Sequence, residues 1–210
     1  MLFGMCSAAL QGGIAVGRQN ACPTADSGKI HGMATPEAAP RLLIRPAREE
    51  DAAALREIFN EAVQDRLATF DSEPRSLEEQ RRLIAQAALG PKYPILVADL
   101  RGWALGWVSL QPYQLRPGLE DVGEVAVFVR RSFRTHGVGK QLMRAIQQEA
   151  QNLGYRKLIG HVLAKNADSL RLCRSTGWRE AGRLHDHARL AGALRDVVVV
   201  EYFVPAAPAT

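Results

Sequence analysis

"EVAVFVRRSFRTHGVGKQLMRAIQQEA", Glu124 to Ala150, is the stretch that decides the fold. It opens on a near-continuous apolar run, crosses a basic segment that ends in Gly137 and Gly139, and then repeats apolar residues at Val138, Leu142, Ala145 and Ile146. The run reads as a strand buried on both faces. The recurrence that follows reads as an amphipathic helix, stopped near Gly154. A strand that turns into a helix through two glycines leaves several amide N–H groups free at the helix N-terminus, and these, with the helix dipole, make an anion site. The glycine pair alone also fits an ordinary strand-to-helix turn.

Two phosphate loops are excluded. A Walker loop needs a glycine five positions before Gly139 and a Ser or Thr after Lys140, where this chain has Gln141. A dinucleotide fingerprint needs a third glycine where Leu142 stands.

Working outward, "LLIRPA" from Leu42 reads as a strand, and "REEDAAALREIFNEAVQ" as a helix with acidic residues in its first turn. "SLEEQRRLIAQAAL" reads as another helix, with a capping box opening at Ser76. "YPILVADL" and "WALGWVSLQPY" form a hairpin around Arg101 and Gly102. After the central stretch come a strand "KLIGHVLA", a short helix "ADSLRLCRSTG" and a final strand "DVVVVEYFV". This order predicts an α+β fold with a mixed, mostly antiparallel sheet flanked by helices. Residues 1–40 are rich in Gly, Ala, Ser and Pro without period and read as a mobile N-terminal extension. They precede a folded domain at 41–205. Met33 would also serve as a start.

The 210 residues carry 27 Lys and Arg against 22 Asp and Glu, a formal +5, which suits an anionic partner. The basic residues are scattered and no aromatic-basic pattern accompanies them, so nucleic acid is not an expected partner. No stretch approaches the roughly 20 apolar residues of a membrane span, so a membrane is not expected either. Cys6, Cys22 and Cys173 are odd in number and widely spaced, which indicates neither a disulfide framework nor a zinc cage and fits a reducing cytoplasm. His185 and His187 form a single H-x-H without a nearby third ligand, so they read as a polar loop or strand edge and no metal is expected. Trp103, Trp107 and Trp178 flank apolar strands and read as core.

The sequence R-x-x-G-x-G, from Arg134 through Thr135, His136, Gly137, Val138 and Gly139, resembles the coenzyme A loop of the GNAT superfamily of N-acetyltransferases. "ATFDSEP", Ala68 to Pro74, together with "GWVSLQPY" and the spacing from Arg116 to Glu124, is similar to the phosphinothricin and methionine sulfoximine acetyltransferase branch. The resemblance covers about residues 42–203. It implies the GNAT fold with splayed central strands, acetyl-CoA as co-substrate, and direct transfer to the primary amine of a small amino-acid-like substrate. A non-catalytic acetyl-CoA sensor is the alternative, and a homodimer is left open.

The resemblance also implies roles. The loop would hold the pyrophosphate, Val127, Phe128 and Val129 would face the pantetheine and thioester, and Asn166 would bond the pantetheine or simply cap a helix. Glu124 would be the base that an alkyl amine needs, and its place at the head of an apolar strand suits that role. Phe70 and Arg116 would contact the substrate, Arg116 by pairing with its carboxylate. Cys173 stands where relatives carry a Tyr or His acid, although packing is the simpler role for a free cysteine. Leu119 and Leu194 replace aromatic residues of the branch, which predicts a wider, more apolar substrate pocket.

Overall fold

The computed structural model describes residues 41–90, 92–114 and 116–206. The expected N-terminal extension, with Cys6 and Cys22, lies outside them.

Seven strands form one sheet in the order β1-β2-β3-β4-β5-β7-β6. The strands are β1 (Leu43–Pro46), β2 (Ile95–Leu100), β3 (Trp103–Pro112), β4 (Val122–Val129), β5 (Lys157–Leu163), β6 (Arg179–Leu190) and β7 (Ala193–Phe203). The helices are α1 (Ala52–Asp65), α2 (Leu77–Ala88), α3 (Val138–Asn152) and α4 (Ala167–Ser175). Only the β4–β5 pair is parallel, and the other neighbours run antiparallel. The α+β architecture expected from the sequence is present.

Local chemistry sets the element ends. The β2–β3 hairpin turns on Arg101 and Gly102, both at positive φ (53° and 86°), as a two-residue turn matched to strand twist requires. Ser76 caps α2 reciprocally: its hydroxyl accepts from the Glu79 amide, and the Glu79 carboxylate accepts from the Ser76 amide at 2.8 Å. The acidic turn ahead of α1 is a separate 3₁₀ turn, Glu49–Asp51, where Asp51 accepts two bonds from Arg45.

Side-chain alternation gives the sheet two cores. On one face α3 seats Leu142, Met143 and Ile146 against Val108, Leu110 and Leu158. Complete burial of Leu142 and Ile146 contributes about 1.5–3 kcal/mol each. On the other face α1 and α2 cover Val97, Trp107 and Phe128, with Phe59 edge-on to Phe128 at 5.1 Å.

One expectation needs correction. Trp107 and Trp178 are core, but Trp103 is 72% exposed, because it directly follows the hairpin turn at the first position of β3. The polar stretch around His185 and His187 lies at a strand edge, one of the two readings the sequence allowed. It belongs to the twelve-residue edge strand β6, interrupted by a register shift between Leu184 and Ala188 where Asp186 takes a φ of 49°. Among the described residues, no helix is long and apolar enough to cross a membrane.

Candidate active site

The site begins where β4 and β5 part. Their parallel pairing runs from Val122↔Lys157 to Glu124↔Ile159 and stops there, although β4 continues to Val129 and β5 to Leu163. Beyond Glu124 the strands splay. On its other side β4 stays paired with β3 through Val129, and the Arg130 amide donates to the Leu105 carbonyl. Antiparallel alternation then turns the backbone groups of the even-numbered residues of β4 toward β3, and those of Val125, Val127 and Val129 into the gap. Arg134 confirms this direction, since its Nε donates to the Val129 carbonyl at 3.2 Å.

Two adjoining cavities border the gap, sharing Leu67, Ala68, Val127, Phe128, Asn166, Ser169 and Leu172. The outer one, about 320 Å³, reaches Arg134, Thr135, Gly137, Gly139 and Lys140. The inner one, about 170 Å³, reaches Phe70, Glu124, His161, Cys173 and Trp178.

At the outer end, Thr135 and Gly137 take positive φ (65° and 81°) and α3 starts directly after. The Gln141 amide bonds the Gly137 carbonyl, so the amides of Val138, Gly139 and Lys140 precede the first intrahelical bond and are available to a ligand. A Cβ on Gly137 would meet nothing within 4 Å and would project from the loop, whereas one on Gly139 would lie 3.1 Å from Leu172. Gly139 is thus needed for packing and Gly137 for backbone conformation. Arg134 faces the groove while its Nη1 donates to Asp65 at 2.6 Å. His136 turns back to the Arg134 carbonyl, 2.8 Å away, and the Val138 side chain is buried in the α3 core. For these two residues it is the backbone that serves the loop.

Asn166 has two structural duties. Its Oδ1 accepts from the Ser169 amide at 3.0 Å, which caps α4, and its Nδ2 donates to the Leu67 carbonyl at 2.8 Å. The second bond ties α4 to the "ATFDSEP" loop and holds Ala68, Thr69 and Phe70 at the cleft. One Nδ2 hydrogen is left for a ligand.

Glu124 reaches the inner cavity with its side chain 39% exposed, and its Oε1 lies 2.8 Å from His161 Nδ1. Sequence reasoning passed over His161, which stands in an apolar strand 37 positions from its partner with no local signal. Cys173 is buried, and desolvation pushes its thiol up to about 11. The buried indole Nε1 of Trp178, at the same cavity, has no hydrogen-bond partner among the described residues.

Arg116 does not line the cleft. It borders a separate hollow of about 280 Å³ with Lys92, Tyr93, Leu119 and Glu120. That hollow includes Val122, which stands two residues before Glu124 on the same face of β4, about 7 Å along the strand. Leu194 borders none of these three cavities and is 44% exposed on β7. Asp196 is engaged by Arg183 and His185 across the β6–β7 pair. Among the described residues, no three His, Cys, Asp or Glu side chains gather as a metal site would require.

The residues present fit a coenzyme A thioester. Free amides and the cations Arg134, Lys140 and Arg171 stand at one end, an open strand edge lines the middle, and a carboxylate stands at the other end. The comparisons with known proteins agree. The chain is 30% identical over 140 residues to the L-methionine sulfoximine/L-methionine sulfone acetyltransferase of Salmonella typhimurium, covering 65% of this chain and 80% of that protein. It is 27% identical over 160 residues to a phosphinothricin N-acetyltransferase of Streptomyces coelicolor, covering 75% and 94% respectively. The crystal structure of a ribosomal-protein-alanine N-acetyltransferase from Brucella melitensis superposes with a TM-score of 0.74 at 31% identity, over 77% of this chain and 99% of that one. Residues 41–179 match the family model of the acetyltransferase (GNAT) domain. With the splayed β4–β5 gap and its glycine loop, this makes the chain a member of the GNAT acetyltransferases, an enzyme that takes acetyl-CoA as its acetyl donor.

Proposed function

We propose that residues 41–205 form a catalytic unit that acetylates the primary amine of a small amino-acid-like molecule of the phosphinothricin or methionine sulfoximine type. The observation that carries this reading is the position of Glu124 at the point where β4 and β5 diverge. Two adjoining cavities there lie between its carboxylate and the free amides of the glycine loop.

On this reading the labour divides along the cleft. The amides at the start of α3, with Arg134 and Lys140, hold the pyrophosphate of acetyl-CoA. Val127 offers the pantetheine and thioester the N–H and C=O that β5 leaves unpaired, and the N–H stabilises negative charge as it develops on the carbonyl oxygen. Asn166 bonds the pantetheine with its remaining hydrogen. An alkyl amine is protonated at neutral pH, with a pKa of about 10, and attacks only as the free base. Glu124 takes that proton, the free amine attacks the thioester carbon, and as the C–S bond breaks the second proton that the nitrogen sheds on becoming an amide passes to the departing sulfur to give the free thiol.

On the substrate side, Phe70 packs beside the reacting amine. Arg116, in the second hollow that Val122 of β4 also lines, pairs with the carboxylate of an amino acid that spans the two hollows. Leu119 borders the second hollow in place of the branch's aromatic residue, which favours side chains longer than those of the branch's small substrates. A cavity that admits extra methylenes discriminates by only about 1–3 kcal/mol per group, so a broad preference is expected rather than strict specificity.

The test is thiol release from acetyl-CoA with a panel of amines: methionine sulfoximine, phosphinothricin, apolar L-amino acids and an alanine-terminated peptide. Turnover with the first two and more with an apolar amino acid is the expected result. Activity confined to the peptide would overturn the reading, and so would no activity with any amine alongside tight acetyl-CoA binding, the behaviour of a sensor.

A further inference from the structure

The Glu124–His161 contact is not explained by the fold. His161 is the second residue of β5 beyond its last rung with β4, and strand alternation sets it on the same face as Glu124 and Ile159. Had the strands stayed paired, Ala126 would have stood opposite it. Because they splay, the imidazole occupies the throat of the gap and meets the Glu124 carboxylate at 2.8 Å. Tyr113, just past the end of β3, lies nearly parallel to the His161 ring, with an interplanar angle of 15° and centroids 6.2 Å apart. An imidazole Nδ1–H can donate this bond to a carboxylate oxygen, which accepts it.

We propose that His161 is a positioning residue for the acetyl transfer. It fixes Glu124 by holding Oε1 and leaves Oε2 to meet the incoming amine. The proposal rests on the reading of Glu124 as the base. A glutamate has three side-chain torsions, and a 39%-exposed carboxylate at a strand edge samples several rotamers unless something holds it. The hydrogen bond to His161 supplies that restraint, and the ring is itself aligned by Tyr113 on one side and by its backbone in the β5–β7 ladder on the other. Orientation of this kind raises turnover without adding affinity for acetyl-CoA, whose loop contacts lie at the far end of the cleft.

The experiment compares His161→Leu, His161→Asn and Glu124→Gln, using acetyl-CoA and the best amine of the panel above. Asn places an N–H donor near the position of Nδ1 and so retains the bond, whereas Leu fills the space without a donor. The expected result is a kcat for His161→Leu lowered roughly tenfold or more, with KM for acetyl-CoA within about twofold, and a kcat for His161→Asn restored to within about threefold of wild type. Should His161→Leu melt below the assay temperature, His161→Ala takes its place in the same comparison. The proposal is overturned if the donor-less variant keeps wild-type kcat. It is equally overturned if His161→Asn is as slow as His161→Leu, which would make the ring a proton acceptor rather than a positioner. Glu124→Gln separates the two levels: if it alone is inactive, the base assignment stands and only the role of His161 fails. If it is fully active, both fail.

Discussion

Asp65, the last residue of α1, accepts hydrogen bonds from Arg134 at 2.6 Å and Arg131 at 2.7 Å, so the glycine loop is fastened to a helix nearly seventy residues earlier in the chain. The carboxylate is only 19% exposed. Burial alone would raise its pKa, but the bonds from Arg131 and Arg134 outweigh this and hold it below the usual carboxylate range.

Asp65→Asn should therefore lower the melting temperature at neutral pH and raise KM for acetyl-CoA, because Arg134 loses the anchor that aims it along the groove. The pH dependence has a definite sign. A depressed folded-state pKa stabilises above the unfolded-state pKa, near 3.9 for Asp, and this contribution disappears as pH falls through the lower folded value. The melting difference between wild type and variant should be full at pH 7 and should shrink below about pH 4. A difference that does not change with pH would show that Asp65 matters for shape and not for charge.

Gly137 has a φ of 81° with open space where a side chain would go. Gly137→Val should cost about 1–2 kcal/mol from the left-handed backbone alone. It should also weaken acetyl-CoA binding by roughly tenfold or more, since the β-branched group projects into the approach to the free amides. Calorimetric titration of the folded variant checks this, and unchanged affinity would remove the loop from the coenzyme site.

The loop was legible because its signals are local: two glycines, a helical period that starts at once, and a strand before them. The Ser76 capping box and the Arg101-Gly102 turn were legible for the same reason. β6 was not, because an edge strand exposed on both faces has no hydrophobic alternation, and the irregularity at Asp186 breaks what period remains. Trp103 misled because its apolar strand neighbours are buried while it sits at the hairpin mouth. Glu124 was singled out through its position in a motif, and the structure sets it where β4 and β5 part. His161 was invisible, since nothing in "KLIGHVLA" marks a residue whose polar side-chain contact lies across a gap between two strands. Arg116 and Glu124 are only eight residues apart, yet they border different hollows.

Cys173 is read as a packing residue rather than an acid for the leaving sulfur. Burial among Leu170, Trp178 and their neighbours pushes its thiol up to about 11, so at neutral pH it is a packed, protonated side chain. Cys173→Ala should keep kcat within about threefold while lowering stability by about 1 kcal/mol or somewhat more for the lost buried sulfur. The native thiol should react slowly with a disulfide reagent at pH 8, because the thiolate is the reactive form. A fall in kcat of a hundredfold with an intact fold would make Cys173 the acid.

The most direct test of the whole account is Glu124→Gln, which keeps the shape of the side chain and its place beside His161 but removes the base. Turnover at neutral pH with the best amine should fall roughly 100-fold or more, while acetyl-CoA affinity by calorimetry stays within about twofold. Near-normal turnover in the folded variant would contradict the account, because the carboxylate at the parting of β4 and β5 would then have no part in the chemistry.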